Sequence, residues 1–134
     1  MAIDFTLDPD QRRLRAATRE IAHDVLGGVS ARTAGIACPE ERFAATRPAY
    51  QQLVEAGYLR KVLPESVGGD LRSTLDLALI AEELTAVDAS VALTLFAVTL
   101  GLAPVVYAGT AAQQRAQLAR FLLPAGAPLA ASGR

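Results

Sequence analysis

Residues 73–114 read STLDLALIAEELTAVDASVALTLFAVTLGLAPVVYAGTAAQQ, three helix signatures in succession. Ser73-Thr74-Leu75-Asp76 is a capping-box variant, in which a side-chain oxygen takes up a free N–H of the first helical turn. Behind it Leu77, Ile80, Ala81, Leu84 and Val87 recur at helical intervals, which predicts one apolar stripe on a helix that ends near Asp88. From Ala89 to Gln114 no residue is charged. A run of that length raises a transmembrane span, which needs about 20 apolar residues. Gly101, Pro104 and Gly109 interrupt it, and Thr94 and Thr99 break its apolar character, so a buried central helix of a bundle is the better expectation. Thr110-Ala111-Ala112-Gln113 then opens a further helix with Leu118, Phe121 and Leu122 inward, closed by Pro124 and Gly126.

Toward the N-terminus, Asp8-Pro9-Asp10-Gln11 combines an acidic cap, proline at the first helical position and a glutamine able to fold back. It predicts a helix from Pro9 to about Leu26, with Leu14, Ala17, Ile21 and Val25 inward and Arg13, Arg19, Glu20 and Asp24 in water. Gly27-Gly28 stops it. Val29 to Ala45 carries no sustained period, and Cys38-Pro39 favours extended backbone, so a loop is expected there. Pro48 opens a second helix in this reading, with Tyr50, Leu53 and Val54 inward and Gly57 ending it in the left-handed conformation. Leu63-Pro64-Glu65 and Gly68-Gly69-Asp70 give the segment from Tyr58 to Arg72 the chemistry of a reversing connection. Ala127 to Arg134 is short and uncapped, the start of a connection or first strand. The fold class is therefore all-α, with a helical domain over 1–126 and a connecting segment over 127–134.

The 134 residues suit one domain, and 13 basic against 14 acidic side chains create no field that would draw in nucleic acid or an anionic membrane. The single Cys38 cannot form an internal disulfide, and Asp4, Asp8 and Asp10 oppose a secretory signal, so the expected location is cytoplasmic, with no membrane span. The lone His23 cannot supply a histidine-rich metal site, and beside Asp24 it lacks a neighbouring nucleophile. Glu82 and Glu83 project about 100° apart on one helix and cannot converge on one atom, so they are expected to be solvated or ion-paired. Gly68-Gly69 lacks the spacing of a phosphate loop. No catalytic, cofactor-binding or metal-binding residue is assigned. Ala92, Phe96 and Leu100, at i, i+4 and i+8, could line an apolar channel, although pattern alone favours core.

In order and spacing, the motifs resemble the acyl-CoA dehydrogenase family from near the first residue to the last. Phe5-Thr6-Leu7 before Asp10-Gln11-Arg12-Arg13-Leu14-Arg15 looks like that family's opening helix. Leu53 to Gly57, then Leu63-Pro64-Glu65 and Gly68-Gly69, looks like its turn signature. Ala81-Glu82-Glu83-Leu84, Asp88-Ala89-Ser90, Leu100-Gly101, Pro104, Ala108-Gly109-Thr110 and Gln113-Gln114 are similar to its third to fifth helices.

The resemblance implies the N-terminal helical domain of an FAD-dependent enzyme that dehydrogenates an acyl-CoA thioester in fatty acid metabolism. The chain ends, at Ser132-Gly133-Arg134, where a β-domain would begin. FAD and the catalytic glutamate are assigned to segments beyond these residues, supplied by the remaining domains or a completing chain, in a homo-oligomer when complete. By position the resemblance places Ala92, Phe96, Thr99 and Leu100 as substrate-binding residues on the acyl-pocket wall. A flavin oxidase or monooxygenase of the same fold is the alternative, and a non-catalytic helical interaction module a further one.

Overall fold

The computed structural model describes residues 6–130. Helix α1 spans Pro9–Ile21 and continues as a π-helical turn over Ala22–Leu26. Asp8 accepts from the Gln11 N–H at 2.8 Å, and the Gln11 side chain accepts from the Asp8 N–H at 3.0 Å, completing the capping box. The inward line of α1 is displaced by one residue from the expected one. Thr18, Ala22 and Leu26 are buried, Leu14, Ile21 and Val25 half-buried, and Ala17 is exposed. Thr18 tolerates burial because its hydroxyl donates to the Leu14 carbonyl at 2.8 Å and accepts from the Tyr58 hydroxyl at 3.1 Å.

The expected loop between Val29 and Ala45 is instead largely helical. A short α2 covers Val29–Thr33, and α3 runs over Pro39–Glu55, so Pro48 lies inside a helix rather than opening one. Pro39 occupies the first turn, where its missing N–H costs nothing, and Glu40 and Glu41 face the positive end of the helix dipole. Residues 39–44 of α3 are almost wholly solvent-facing, which is why they carry no apolar period. Only from Thr46 onward does a face turn inward, with Ala49, Tyr50, Leu53 and Val54 buried. Gly57 follows at φ 83°, a conformation that ends α3 and starts the short α4, Tyr58–Lys61.

Residues 60–71 fold into a compact connection containing a 3-10 turn at Glu65–Val67 and one bridge pairing Pro64 with Leu71. Backbone hydrogen bonds stitch it together: the Gly69 N–H donates to Pro64, the Leu71 N–H to Leu63 and the Asp70 N–H to Arg60. Helix α5, Thr74–Val87, is capped by the Ser73 hydroxyl, which accepts from the Asp76 N–H at 3.0 Å. Asp88 ends α5 and at once caps α6, Ala89–Ala108, by accepting from the Val91 N–H at 3.0 Å. Helix α7, Ala111–Leu122, opens on the Thr110–Gln113 capping box.

Helix α1 packs on α5, α5 on α6, and α6 on both α3 and α7. Leu26, Tyr50, Leu53, Ile80, Leu84, Leu95, Leu118 and Phe121 fill the shared core. The expectation that α6 is a buried central helix needs correction. Val91, Ala92, Leu95, Val98, Leu102 and Val106 face the core, whereas Leu93, Leu100 and Tyr107 stand in solvent. Beyond α7 the chain is irregular through Ala130, held by the Tyr50 hydroxyl donating to the Pro128 carbonyl at 2.7 Å. Residues 127–130 carry no strand of their own, and residues 131–134, the rest of the expected connection or first strand, lie outside the described residues.

Candidate functional site

An open groove of about 530 Å³ runs between α5, α6 and the connection before α5. Helix α5 contributes Thr74, Leu77, Ala78 and Ala81; α6 contributes Phe96, Thr99, Leu100, Ala103, Val106 and Tyr107. The connection closes one side with Val62, Leu63, Pro64 and Leu71. Among the described residues, none that lines it is charged. Thr99 spends its hydroxyl proton within its own helix, donating to the Phe96 carbonyl at 2.7 Å. An apolar trough of this kind favours an alkyl segment.

Of the four residues assigned to a substrate wall, Phe96, Thr99 and Leu100 line the groove. Ala92 does not: it is wholly buried in the core. The reason is geometric, since each four-residue step turns about 400° on a helix of 3.6 residues per turn. A line through Ala92, Phe96 and Leu100 therefore rotates by about 80°, from the core to the open face. Sequence reasoning missed the α5 residues, Ala103, Tyr107 and the whole side formed by residues 62–71. Leu77 and Ala81 were visible as a helical stripe, but nothing local indicates that α5 and α6 splay to leave a trough.

The acidic pair lies apart from this groove. Glu83 is buried and accepts from Arg15 Nε at 2.6 Å, Arg19 Nε at 2.8 Å and Arg19 Nη2 at 2.9 Å, while Arg15 also reaches Glu82 at 3.3 Å. Hydrogen bonds from Arg19 first, then Arg15, hold its carboxyl at about 2, well below the usual 4.5. A carboxylate so stabilised is a poor general base at neutral pH. It joins α1 to α5. Cys38 donates its thiol proton to Glu40 at 3.0 Å, and His23 is exposed.

The groove also fits poorly as a cofactor cradle. A flavin dinucleotide needs cations or clustered N–H donors for its pyrophosphate, and this lining has no charged side chain. Arg15, Arg19 and Arg72 lie outside the lining and are engaged elsewhere, Arg15 and Arg19 with Glu83, and Arg72 with Asp10 and Asp76.

The family profile "Acyl-CoA dehydrogenase, N-terminal domain" matches residues 8–123. The nitroalkane oxidase of Fusarium oxysporum is 34% identical over 128 residues, covering 96% of this chain and 29% of that protein. The Podospora anserina nitroalkane oxidase is 37% identical over 134 residues, covering 97% of this chain and 30% of its own length. Cyclohex-1-ene-1-carbonyl-CoA dehydrogenase of Geobacter metallireducens is 43% identical over a shorter 65 residues, 48% of this chain and 17% of that enzyme. Among solved structures, a nitroalkane oxidase active-site mutant crystallised with 1-nitrooctane superposes with a TM-score of 0.91 at 34% identity, over 96% of this chain and 30% of that one. The chain thus spans about 30% of the length of the curated relatives it matches most fully.

Proposed function

Because this chain belongs to the acyl-CoA dehydrogenase family, as its N-terminal domain, we propose that it builds one wall of the substrate cavity in an FAD-dependent enzyme. The reaction in this reading is α,β-dehydrogenation of an acyl-CoA thioester. The observation that carries the proposal is the uncharged trough between α5 and α6, which suits an alkyl tail. Phe96, Thr99, Leu100 and the alanines at 78, 81 and 103 hold that tail and keep water from it. They position the carbon next to the thioester for a base supplied beyond this chain.

A second reading, a flavin oxidase acting on a nitroalkane, is favoured by nitroalkane oxidases matching nearly the whole chain, where the CoA enzyme matches half. A nitroalkane and an acyl thioester both carry an acidic C–H beside an electron-withdrawing group, and both have an alkyl tail to be housed. The remaining domains and a homo-oligomeric assembly belong to the same proposal, as does a cytoplasmic location, which the single cysteine supports. Helix α6 has the length and mean hydropathy of a span, 20 residues at 2.1. Its six core-packed residues support a place in a folded domain rather than in lipid.

In the complete enzyme, Phe96→Ala is expected to shift the kcat/KM preference toward longer or bulkier tails, because it enlarges the trough. A chain-length series of acyl-CoA and 1-nitroalkane substrates, run on both proteins at matched folded concentration, checks this and identifies the head group used. Equal loss at every length would return Phe96 to a structural role. The 134-residue chain by itself is expected to bind no stoichiometric flavin; a yellow 1:1 complex in equilibrium dialysis would contradict that.

A further inference from the structure

The groove between α5 and α6 differs at its two ends. Both helices meet at Asp88, which ends one and caps the other, and they pack back along each other from that corner. At about 1.5 Å per residue, Ala81 and Phe96 lie roughly 10–12 Å from the corner, and Thr74 and Tyr107 roughly 21 and 28 Å from it. The near end offers only an alanine methyl and an aromatic ring. Of the lining residues, only Thr74, Thr99 and Tyr107 carry a polar side chain. Thr99 donates its proton to the Phe96 carbonyl at 2.7 Å. The hydroxyls of Thr74 and Tyr107 have no hydrogen bond among the described residues, and both side chains are exposed. The two unspent donors of the groove therefore stand together at its far end.

The backbone around them suits an electron-rich oxygen. Thr74 is the first residue of α5, at the positive end of its helix dipole. The carbonyls of the last turn of α6, which would repel such an oxygen, are already taken: Gln114 Nε2 donates to Val106 at 3.0 Å and the Gly109 N–H to Val105 at 3.0 Å. Asp76, the acid in the first turn of α5, faces Arg72 in a separate cleft and does not line the groove. We infer that the groove takes its ligand in one direction, with the alkyl end against Ala81 and Phe96 and an oxygen-bearing head group held by hydrogen bonds from Thr74 and Tyr107. The head group is one with an acceptor oxygen next to the tail, a nitro group or a thioester carbonyl. Thr74 and Tyr107 thereby separate a substrate from bare hydrocarbon, which the rest of the lining does not. This inference rests on the groove being the proposed substrate cavity, and adds to it the head-group contacts and the direction of entry.

The test titrates the 134-residue chain, and its Thr74→Val/Tyr107→Phe double variant, with hexane, 1-nitrohexane and hexanoyl-CoA under methyl-resolved NMR. Both positions are exposed and both replacements keep the side-chain shape, so circular dichroism should show the variant folded as the parent. In the parent, all three ligands are expected to saturate the methyls of Leu77 and Ala81. The variant should lose about fivefold or more in affinity for 1-nitrohexane, hexanoyl-CoA or both, the worth of two hydrogen bonds, and bind hexane as the parent does. The ligand that loses affinity identifies the head group as nitro or thioester. Intermolecular NOEs should join the terminal methyl of that ligand to Ala81 and the Phe96 ring, and the carbon bearing its head group to the Tyr107 ring. Unchanged affinity for both oxygen-bearing ligands, equal weakening of hexane, or NOEs in the reverse sense would overturn the inference while leaving the groove an alkyl site. Saturation by none of the three would overturn the groove reading itself, and the inference with it.

Discussion

Replacing Gly69 by alanine is expected to destabilise the domain by about 3 kcal/mol or more, the range reached when a substitution forces backbone apart. A Cβ at Gly69 would lie 1.9 Å from the Leu63 carbonyl oxygen and 2.4 Å from its carbon, far inside any tolerated contact. Both neighbours are backbone and cannot swing aside. They are also tied, since the Leu63 carbonyl accepts from Leu71 and the Gly69 N–H donates to Pro64. The substitution therefore has to open residues 63–71, and with them the side of the groove built from Leu63, Pro64 and Leu71. Gly35→Ala is the control. Gly35 has φ 78° with nothing within 4 Å of the added carbon, so only the left-handed penalty of about 1 kcal/mol applies. Urea unfolding of both variants checks the difference; equal losses would mean that the connection yields freely.

Loss of the Glu83 carboxylate is expected to have the next largest effect. Breaking a buried ion pair costs about 3–5 kcal/mol when the surviving charge stays buried. Here Arg15 is 38% exposed and Arg19 57%, so the stranded guanidiniums recover water and about 2 kcal/mol is the expectation for Glu83→Gln. The same contact sets an acid dependence. The folded carboxyl titrates at about 2 and the unfolded one near 4.5, so its contribution is complete above 4.5 and fades as pH falls toward 2. Urea midpoints measured from pH 7 to pH 2.5 should drop across that window in the parent and less in Glu83→Gln. Parallel curves would place the acid sensitivity elsewhere.

How much of this was legible in the sequence follows from the range over which each feature is encoded. The starts of α1, α5 and α7 were readable because Asp8, Ser73 and Thr110 cap their own helices within three residues. The start of α3 was not. Its first turns face water and carry no apolar period, and Pro48 reads as a beginning although the helix passes through it. Thr18 was overlooked because a polar residue reaches the core only when a distant Tyr58 is there to satisfy it. The pairing of Glu83 with α1 was equally invisible, since Arg15 and Arg19 lie 68 and 64 residues away. The groove sits between these cases. Phe96, Thr99 and Leu100 could be placed by family position on one helix, whereas Ala78, Ala81 and Leu71 join them only through tertiary packing.

A trough between α5 and α6 that houses an alkyl tail should take one up in the absence of the rest of the enzyme. Methyl-resolved NMR of the 134-residue chain, titrated with 1-nitrohexane, 1-nitrooctane and octanoyl-CoA, measures this without requiring flavin or turnover. The expected result is saturable shifts in the methyls of Val62, Leu77, Ala81 and Leu100, with those of Leu26 and Val29 in the distant core unmoved. Absence of saturation, or shifts spread evenly over groove and core, would contradict it.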